Sequence, residues 1–185
     1  MKIGTVNRLY HGTNQEFSAF DFSRARGFKD FGKGFYLTTN LSQAQKWAQK
    51  KARFGDKAYV YSYCVENTKV DALRVLELLE YDEQWVQTIA KCRLEGLEPD
   101  YDIIYDRMAD NQFHEISDVL QRYSNQELTA AEVAQMIRWN NENSADQFCF
   151  KTPNAISTLM NREMIILYKD DRGVWRVGDR MEEPD

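Results

Sequence analysis

Two short segments combine residue types that can hold a small polar ligand. In Leu9-Tyr10-His11-Gly12-Thr13, a histidine able to donate and accept stands at a predicted strand end beside a glycine. Glycine lets a ligand come close to the backbone, so the N–H and C=O of Gly12 can bind an amide. Read alone, the pair better suits a core histidine followed by a turn glycine. In Asp30-Phe31-Gly32-Lys33-Gly34-Phe35-Tyr36-Leu37-Thr38-Thr39, two glycines bracket a lysine just before an aromatic strand. This is not a dinucleotide fingerprint, which needs a third glycine and opens a helix. Nor is it a phosphate-binding Walker loop, whose lysine is followed by Ser or Thr.

These segments need elements to position them. Val6–Tyr10 reads as a strand, and residues 14–31 as an irregular loop held down by its aromatics, with a second strand at Phe35–Thr38. Asn40 or Ser42 caps a predicted helix to about Arg53, with Ala44, Trp47, Ala48 and Lys51 on one side. Ala58–Val65 alternates with period two and is the clearest strand. Ala72–Leu79, Asp82–Leu94 and Asn111–Tyr123 read as helices. Tyr101–Tyr105 is a short apolar run. Thr129 and Glu132 form a capping box for a further helix. Asp146–Phe150 alternates as a strand, Thr152–Asn161 is a small helix, and Met164–Tyr168 pairs with Val174–Val177 in a hairpin. Helices and strands mix without strict alternation, so the expected class is α+β.

At 185 residues the chain suits a single domain, 1–185, and 43 % hydrophobic residues give it a globular composition. The net charge of −5 argues against a dedicated duplex-DNA binder. Cys64, Cys92 and Cys149 are odd in number and widely spaced, which predicts buried reduced thiols with no metal site and no disulfide framework. The N-terminus has no apolar run of signal-peptide length, and no stretch approaches the roughly 18 apolar residues of a membrane span. A cytoplasmic protein that meets no membrane is the expectation.

Together, YHGT (10–13), FGKGFYL (31–37) and Trp47, eleven residues after Tyr36, resemble the diphtheria-toxin-like and poly-ADP-ribosyltransferase superfamily. The pattern YHGT … DFGKGFYLTT … QA … WA is closest to compact, uncharacterised bacterial members of that clan. Strong resemblance covers about residues 7–53, and weaker resemblance reaches about Leu159. It implies a split antiparallel β core with flanking helices and a helical insertion at about 71–140. It also implies NAD as co-substrate and no metal. Gly12 would hold the nicotinamide carboxamide, and His11 would bond the adenine-side ribose. Tyr36 would stack on the nicotinamide with Trp47 on its other face, each face worth about 0.5–2 kcal/mol. Lys33 and Gly34 lie where a diphosphate could run, with the Lys33 side chain equally able to stay solvated. Tyr10, Thr13 and Thr38 are further contacts, and ordinary core packing is the alternative for Trp47.

The resemblance breaks at a third element. Related transferases place a glutamate at the start of a later strand, where it bonds the ribose 2′-hydroxyl and stabilises the oxocarbenium-like transition state. Asp146-Gln147-Phe148-Cys149-Phe150 puts Gln147 there. Glutamine keeps the hydrogen bond but not the charge, which at about 5 Å and an effective dielectric of ~20 is worth roughly 3 kcal/mol, about a hundredfold in rate. This fits a slow mono-ADP-ribosyltransferase with catalytic His11, Tyr36 and Gln147, and not an efficient polymerase. Glu142, in the preceding loop, is the substitute carboxylate to consider; Asp146 should face the other way. Asp102, Asp106 and Asp110 read as a strand and a solvated turn. Ala145, two before Gln147, argues against an arginine acceptor.

Bacterial members of this size are implied to be toxins or defence effectors, with a protein or nucleic-acid acceptor and a neutralising antitoxin as partners. The competing readings are a non-catalytic NAD or ADP-ribose-binding module and an NAD glycohydrolase. Lys46, Lys50, Lys51 and Arg53 could meet a nucleic acid or the NAD phosphates, or form a solvated helix face.

Overall fold

The computed structural model describes residues 5–109, 114–138 and 145–182. The chain is of mixed α+β class and divides into two compact units. The first comprises Met1–Phe20, Tyr36–Leu73 and Pro153–Asp185; the second comprises Asp21–Phe35 and Arg74–Thr152.

The first unit is built on an antiparallel sheet of β1 (Arg8–Thr13), β3 (Lys57–Val65), β7 (Leu159–Lys169) and β8 (Trp175–Glu182), in the order β1-β3-β7-β8. β3 is central because its β-branched and aromatic residues suit a strand covered on both faces. Val60 and Tyr61, which point to opposite faces, are both fully buried. β1 is longer than its sequence suggests. Pairing runs from Arg8↔Cys64 to Thr13↔Tyr59, so His11 and Gly12 lie inside the strand rather than beyond its end.

Helix α1 (Leu41–Lys51) packs on this sheet through Ala44, Ala48 and Ala52, with Val60, Ile165 and Leu167 beneath. The Asn40 side chain caps it by accepting from Gln43 N at 3.1 Å. A short α2 (Asn67–Val70) and α6 (Pro153–Ile156) complete the unit. α6 is one turn only. The segment 152–161, expected to be helical, instead passes into β7 at Leu159, whose pairing with Val65 extends the sheet.

The second unit holds β4 (Val75–Leu78), β5 (Ile103–Arg107) and β6 (Asp146–Phe150), with β5 parallel to β4 and antiparallel to β6; of β2 (Phe35–Leu37) it holds only Phe35, and Tyr36 and Leu37 belong to the first unit. β2 begins at Phe35, the last residue of this unit's first segment. β4 corrects two expectations. Ala72–Leu79 was expected to be a helix, and the sheets to be wholly antiparallel; β4 is a strand, parallel to β5 from Val75↔Ile103 to Leu78↔Asp106. Leu and Glu carry helix propensity, but the site was decided by non-local pairing. Arg74 N is tied to the Asp102 carboxylate at 2.9 Å, which fixes where β4 starts.

Around this sheet stand α3 (Glu83–Glu95), α4 (Ile116–Ser124) and α5 (Ala130–Ile137). The Thr129–Glu132 capping box is present as expected. α3 buries Trp85, Val86, Ile89 and Cys92 and stops at Gly96, whose φ of 68° is the left-handed conformation glycine adopts freely.

Candidate functional site

Each unit carries part of the predicted set. In the first, the two motifs lie side by side. Tyr10 and Thr38 form an isolated antiparallel bridge, Tyr10 N to Thr38 O at 2.8 Å and Thr38 N to Tyr10 O at 3.0 Å. A continued ladder would next pair Gly12 with Tyr36. The bridge stops at one pair, and the Tyr36 carbonyl instead accepts from His11 Nδ1 at 2.7 Å. His11 Nδ1–H thus takes the carbonyl that a continued ladder would have paired with Gly12.

Strand alternation gives the direction of the Gly12 backbone. Tyr10 spends its N–H and C=O on Thr38, away from β3, and Gly12, two residues on, directs its own to the same edge. Gly12 N–H and C=O therefore point into the fork beside the His11–Tyr36 bond.

The glycine itself has a packing reason. A Cβ on Gly12 would lie 2.0 Å from Ala44 O and 2.9 Å from Ala48 N, so α1 crosses directly over it. Trp47 falls between those two helix residues. It is 47 % exposed, with the Lys50 and Lys51 ammoniums 5.3 and 5.7 Å from its ring centroid. Core packing of Trp47, and its grouping with the buried alanines, are corrected by this exposure. Tyr10 does pack against that alanine cluster.

Of the aromatics expected to hold down the loop beyond β1, Phe17 does so, whereas Phe28 is exposed. The Phe17 ring lies 4.3 Å from Tyr61 and meets His11 edge-on at 6.0 Å, and Phe17 N donates to the Tyr61 hydroxyl. The Arg162 guanidinium stacks over both Phe17 and Tyr61, and donates to the Phe17 and Ser18 carbonyls. Thr13 and Thr38 are buried, and their hydroxyls accept from Gln15 N and Asn40 N, which gives both a structural task.

The second unit arranges its part differently. Gln147 on β6 donates from Nε2 to Asp30 Oδ2 at 2.8 Å, and Arg93 Nε of α3 meets Asp30 Oδ1 at 2.5 Å. That bond fixes which end of the Gln147 amide is spent on the carboxylate; the amide oxygen stays available as an acceptor. Asp106, opposite Gln147 in register, is fully buried and accepts from Trp85 Nε1 at 3.1 Å through Oδ2. Its Oδ1 has no hydrogen-bond partner. Burial first, then the negative charge of Asp30, pushes the Asp106 carboxyl well above the usual range, against the hydrogen bonds from Trp85 and Gln147 that pull it down. Asp146, one residue before Gln147 on the strand, pairs in register with Arg107.

The glycine bracket is occupied by protein groups. Lys33 N donates to both Glu98 carboxylate oxygens, at 2.9 and 2.8 Å. The Lys151 ammonium bonds Phe31 O, Lys33 O and Glu98. Gly32 has φ 73°, and a Cβ there would strike Glu98; one on Gly34 would strike Cys149 Sγ at 2.3 Å. Lys33 itself is exposed. Both glycines thus serve backbone shape and close packing.

Asp102 and Asp106 are buried rather than solvated; Asp102 accepts from Arg74 N and the Thr152 hydroxyl, which hold its carboxyl below the usual range. Asp110 and Glu142 lie outside the described residues. Asp30 and Arg93 were missed by sequence reasoning. Asp30 was visible as the acid that opens the glycine motif; Arg93, 63 residues from its partner, had no local signal.

Cys64, Cys92 and Cys149 form no disulfide; Cys92 and Cys149 are buried, Cys64 only partly, and burial pushes the Cys92 thiol up to about 12. A groove of about 600 Å³ lies among α3, α4 and α5, lined by Lys91, Tyr123 and Glu127, and contains none of the residues expected to hold NAD. Among the described residues, no helix is long and apolar enough to cross a membrane.

A family model described as "Protein of unknown function (DUF3990)" matches residues 7–160. No curated protein and no solved structure matches the chain.

Proposed function

This chain belongs to the DUF3990 family, described as of unknown function; from the resemblance of its YHGT and FGKGFYL motifs we propose that it binds NAD in an ADP-ribosyltransferase-type site and transfers ADP-ribose to a macromolecule. The observation that carries the reading is the fork in the first unit, where Gly12 directs its N–H and C=O beside Tyr36 while His11 bonds the Tyr36 carbonyl. A carboxamide needs one donor and one acceptor side by side, and a backbone glycine supplies both. Tyr36, half-buried on β2, supplies a ring for the nicotinamide, and the exposed Trp47 a second. An ADP-ribosyltransferase-like fold, a cytoplasmic setting, a bacterial toxin or defence role and a neutralising antitoxin partner belong to the same proposal.

Gln147 is the proposed catalytic amide. Leaving-group departure builds positive charge on the ribose, and an amide oxygen whose NH2 is bonded to a carboxylate is a stronger acceptor than an amide alone. Asp30 thereby returns part of the missing charge through Gln147. A second reading, an NAD-binding module without turnover, is favoured by the Arg93 cation that partly neutralises Asp30.

The test is purified protein with labelled NAD and a cell lysate, wild type beside Tyr36→Ala and Gln147→Ala. Label passed to a macromolecule by wild type and lost in both variants supports the transferase. Binding without nicotinamide release supports the module, free ADP-ribose a glycohydrolase, and absence of NAD binding ends the proposal.

A further inference from the structure

The outer face of α1 pairs positive charge with exposed rings. Lys46, Trp47, Lys50, Lys51, Arg53 and Phe54 are all exposed, opposite the buried alanines. Trp47, Lys50/Lys51 and Phe54 recur at spacings of three and four, one stripe along the helix and the turn after it. Phe54 is 91 % exposed, with the Arg53 guanidinium 4.7 Å from its ring centroid. From Lys46 to Lys57 there are five cations and only Asp56 against them, in a chain of net charge −5. The arrangement continues onto the β7–β8 hairpin of the same unit. Lys169 Nζ reaches Arg53 O at 3.4 Å and sits 5.1 Å from the Trp175 ring centroid.

A solvated helix face explains the lysines; Trp47 and Phe54, both exposed on the same stripe, add π-faces to that row of cations. An anionic membrane surface would call for a broad apolar face of Leu, Trp and Phe set opposite the cations. Of the exposed residues on α1 and in the turn to β3, only Trp47 and Phe54 are large and apolar, and both stand among the cations. Duplex DNA offers phosphates but hides its base faces. A single strand offers both, a polyanion for the cations and unstacked bases for the rings.

We propose that this face of the first unit binds single-stranded nucleic acid, with Lys46, Lys50 and Arg53 against the phosphates and Phe54 as a base-stacking platform. The NAD reading uses none of these four residues, so the inference stands apart from it. If both hold, nucleic acid is the acceptor class.

The experiment is fluorescence anisotropy with labelled oligo-dT and oligo-U of about 20 nucleotides, several times the smallest single-strand site. A duplex of equal length and phosphatidylserine-containing vesicles serve as comparisons. Wild type binds the single strands more tightly than the duplex, with affinity falling by a log–log salt slope of about −0.7 per phosphate neutralised. The triple variant Lys46→Glu/Lys50→Glu/Arg53→Glu binds at least tenfold more weakly, with unchanged melting temperature and unchanged NAD titration. Phe54→Ser weakens single-strand binding about fivefold and leaves duplex binding alone. The relative affinity of oligo-dT and oligo-U separates DNA from RNA. The inference is overturned if wild type fails to bind either strand at low salt, if the triple variant binds equally well, or if vesicles are bound and the oligonucleotides are not.

Discussion

The two units treat their polar groups in opposite ways. In the first, the β1 edge leaves a bridge after one residue pair, and a histidine side chain takes the carbonyl that the ladder would have used. In the second, polar groups of the same motif are satisfied by neighbours: Glu98 on Lys33 N, Lys151 on Phe31 O and Lys33 O, and Arg93 and Gln147 on Asp30. One continuous segment, Asp30 to Thr39, thus serves framework in its glycines and offers a candidate ligand contact only from Tyr36 onward. Glycine content alone does not separate these tasks, because a close approach can be made by a ligand or by the protein itself.

Gly12 gives the sharpest way to break the comparison. In Gly12→Ala, the new methyl would meet helix backbone, which cannot swing aside. The expected loss is about 3 kcal/mol or more in urea unfolding, at the upper end for overpacking. Wild-type stability in this variant would mean that α1 does not cross β1 as described.

The satisfied unit is tested by Arg93→Ala. It leaves Asp30, with a side chain only 12 % exposed, without its cation, at an expected cost of about 2–3 kcal/mol. Restoring stability by a second change, Asp30→Asn, would identify the stranded charge as the cause. A full-sized loss in the double variant would point to packing instead.

A smaller, pH-dependent effect is expected at Asp106. Its folded carboxyl keeps a proton above the usual range, while the unfolded chain releases it near pH 4. The folded state therefore binds more protons in that window, and stability falls as pH rises through it, by up to about 1.4 kcal/mol per unit. Asp106→Asn keeps an acceptor for Trp85 and removes this slope. Urea midpoints of variant and wild type should agree near pH 4 and separate in the variant's favour toward pH 8. Parallel pH profiles would show that Asp106 is ionised in the fold.

Much of the local structure was legible in the sequence. The alternation of Ala58–Val65, the Asn40 cap and the Thr129–Glu132 box each act within a few residues and behave as their chemistry dictates. The strand at Val75–Leu78 was not legible, because its partner starts 28 residues later and Leu and Glu favour a helix when nothing else intervenes. For the candidate site, the YHGT and FGKGFY motifs gave the residues but not their division of labour. The Asp30–Gln147 bond spans 117 residues and leaves no periodic trace. Trp47 shows the limit of spacing: three residues from Ala44 and one from Ala48, it still points to solvent.

The most direct measurement is calorimetric titration of NAD into wild type, His11→Ala and Tyr36→Ala, each checked for an unchanged melting transition. One site is expected in wild type and none measurable in either variant, because one loses the His11–Tyr36 bond and the other the ring. Undiminished NAD binding in both folded variants would remove the fork at Gly12 as the ligand site.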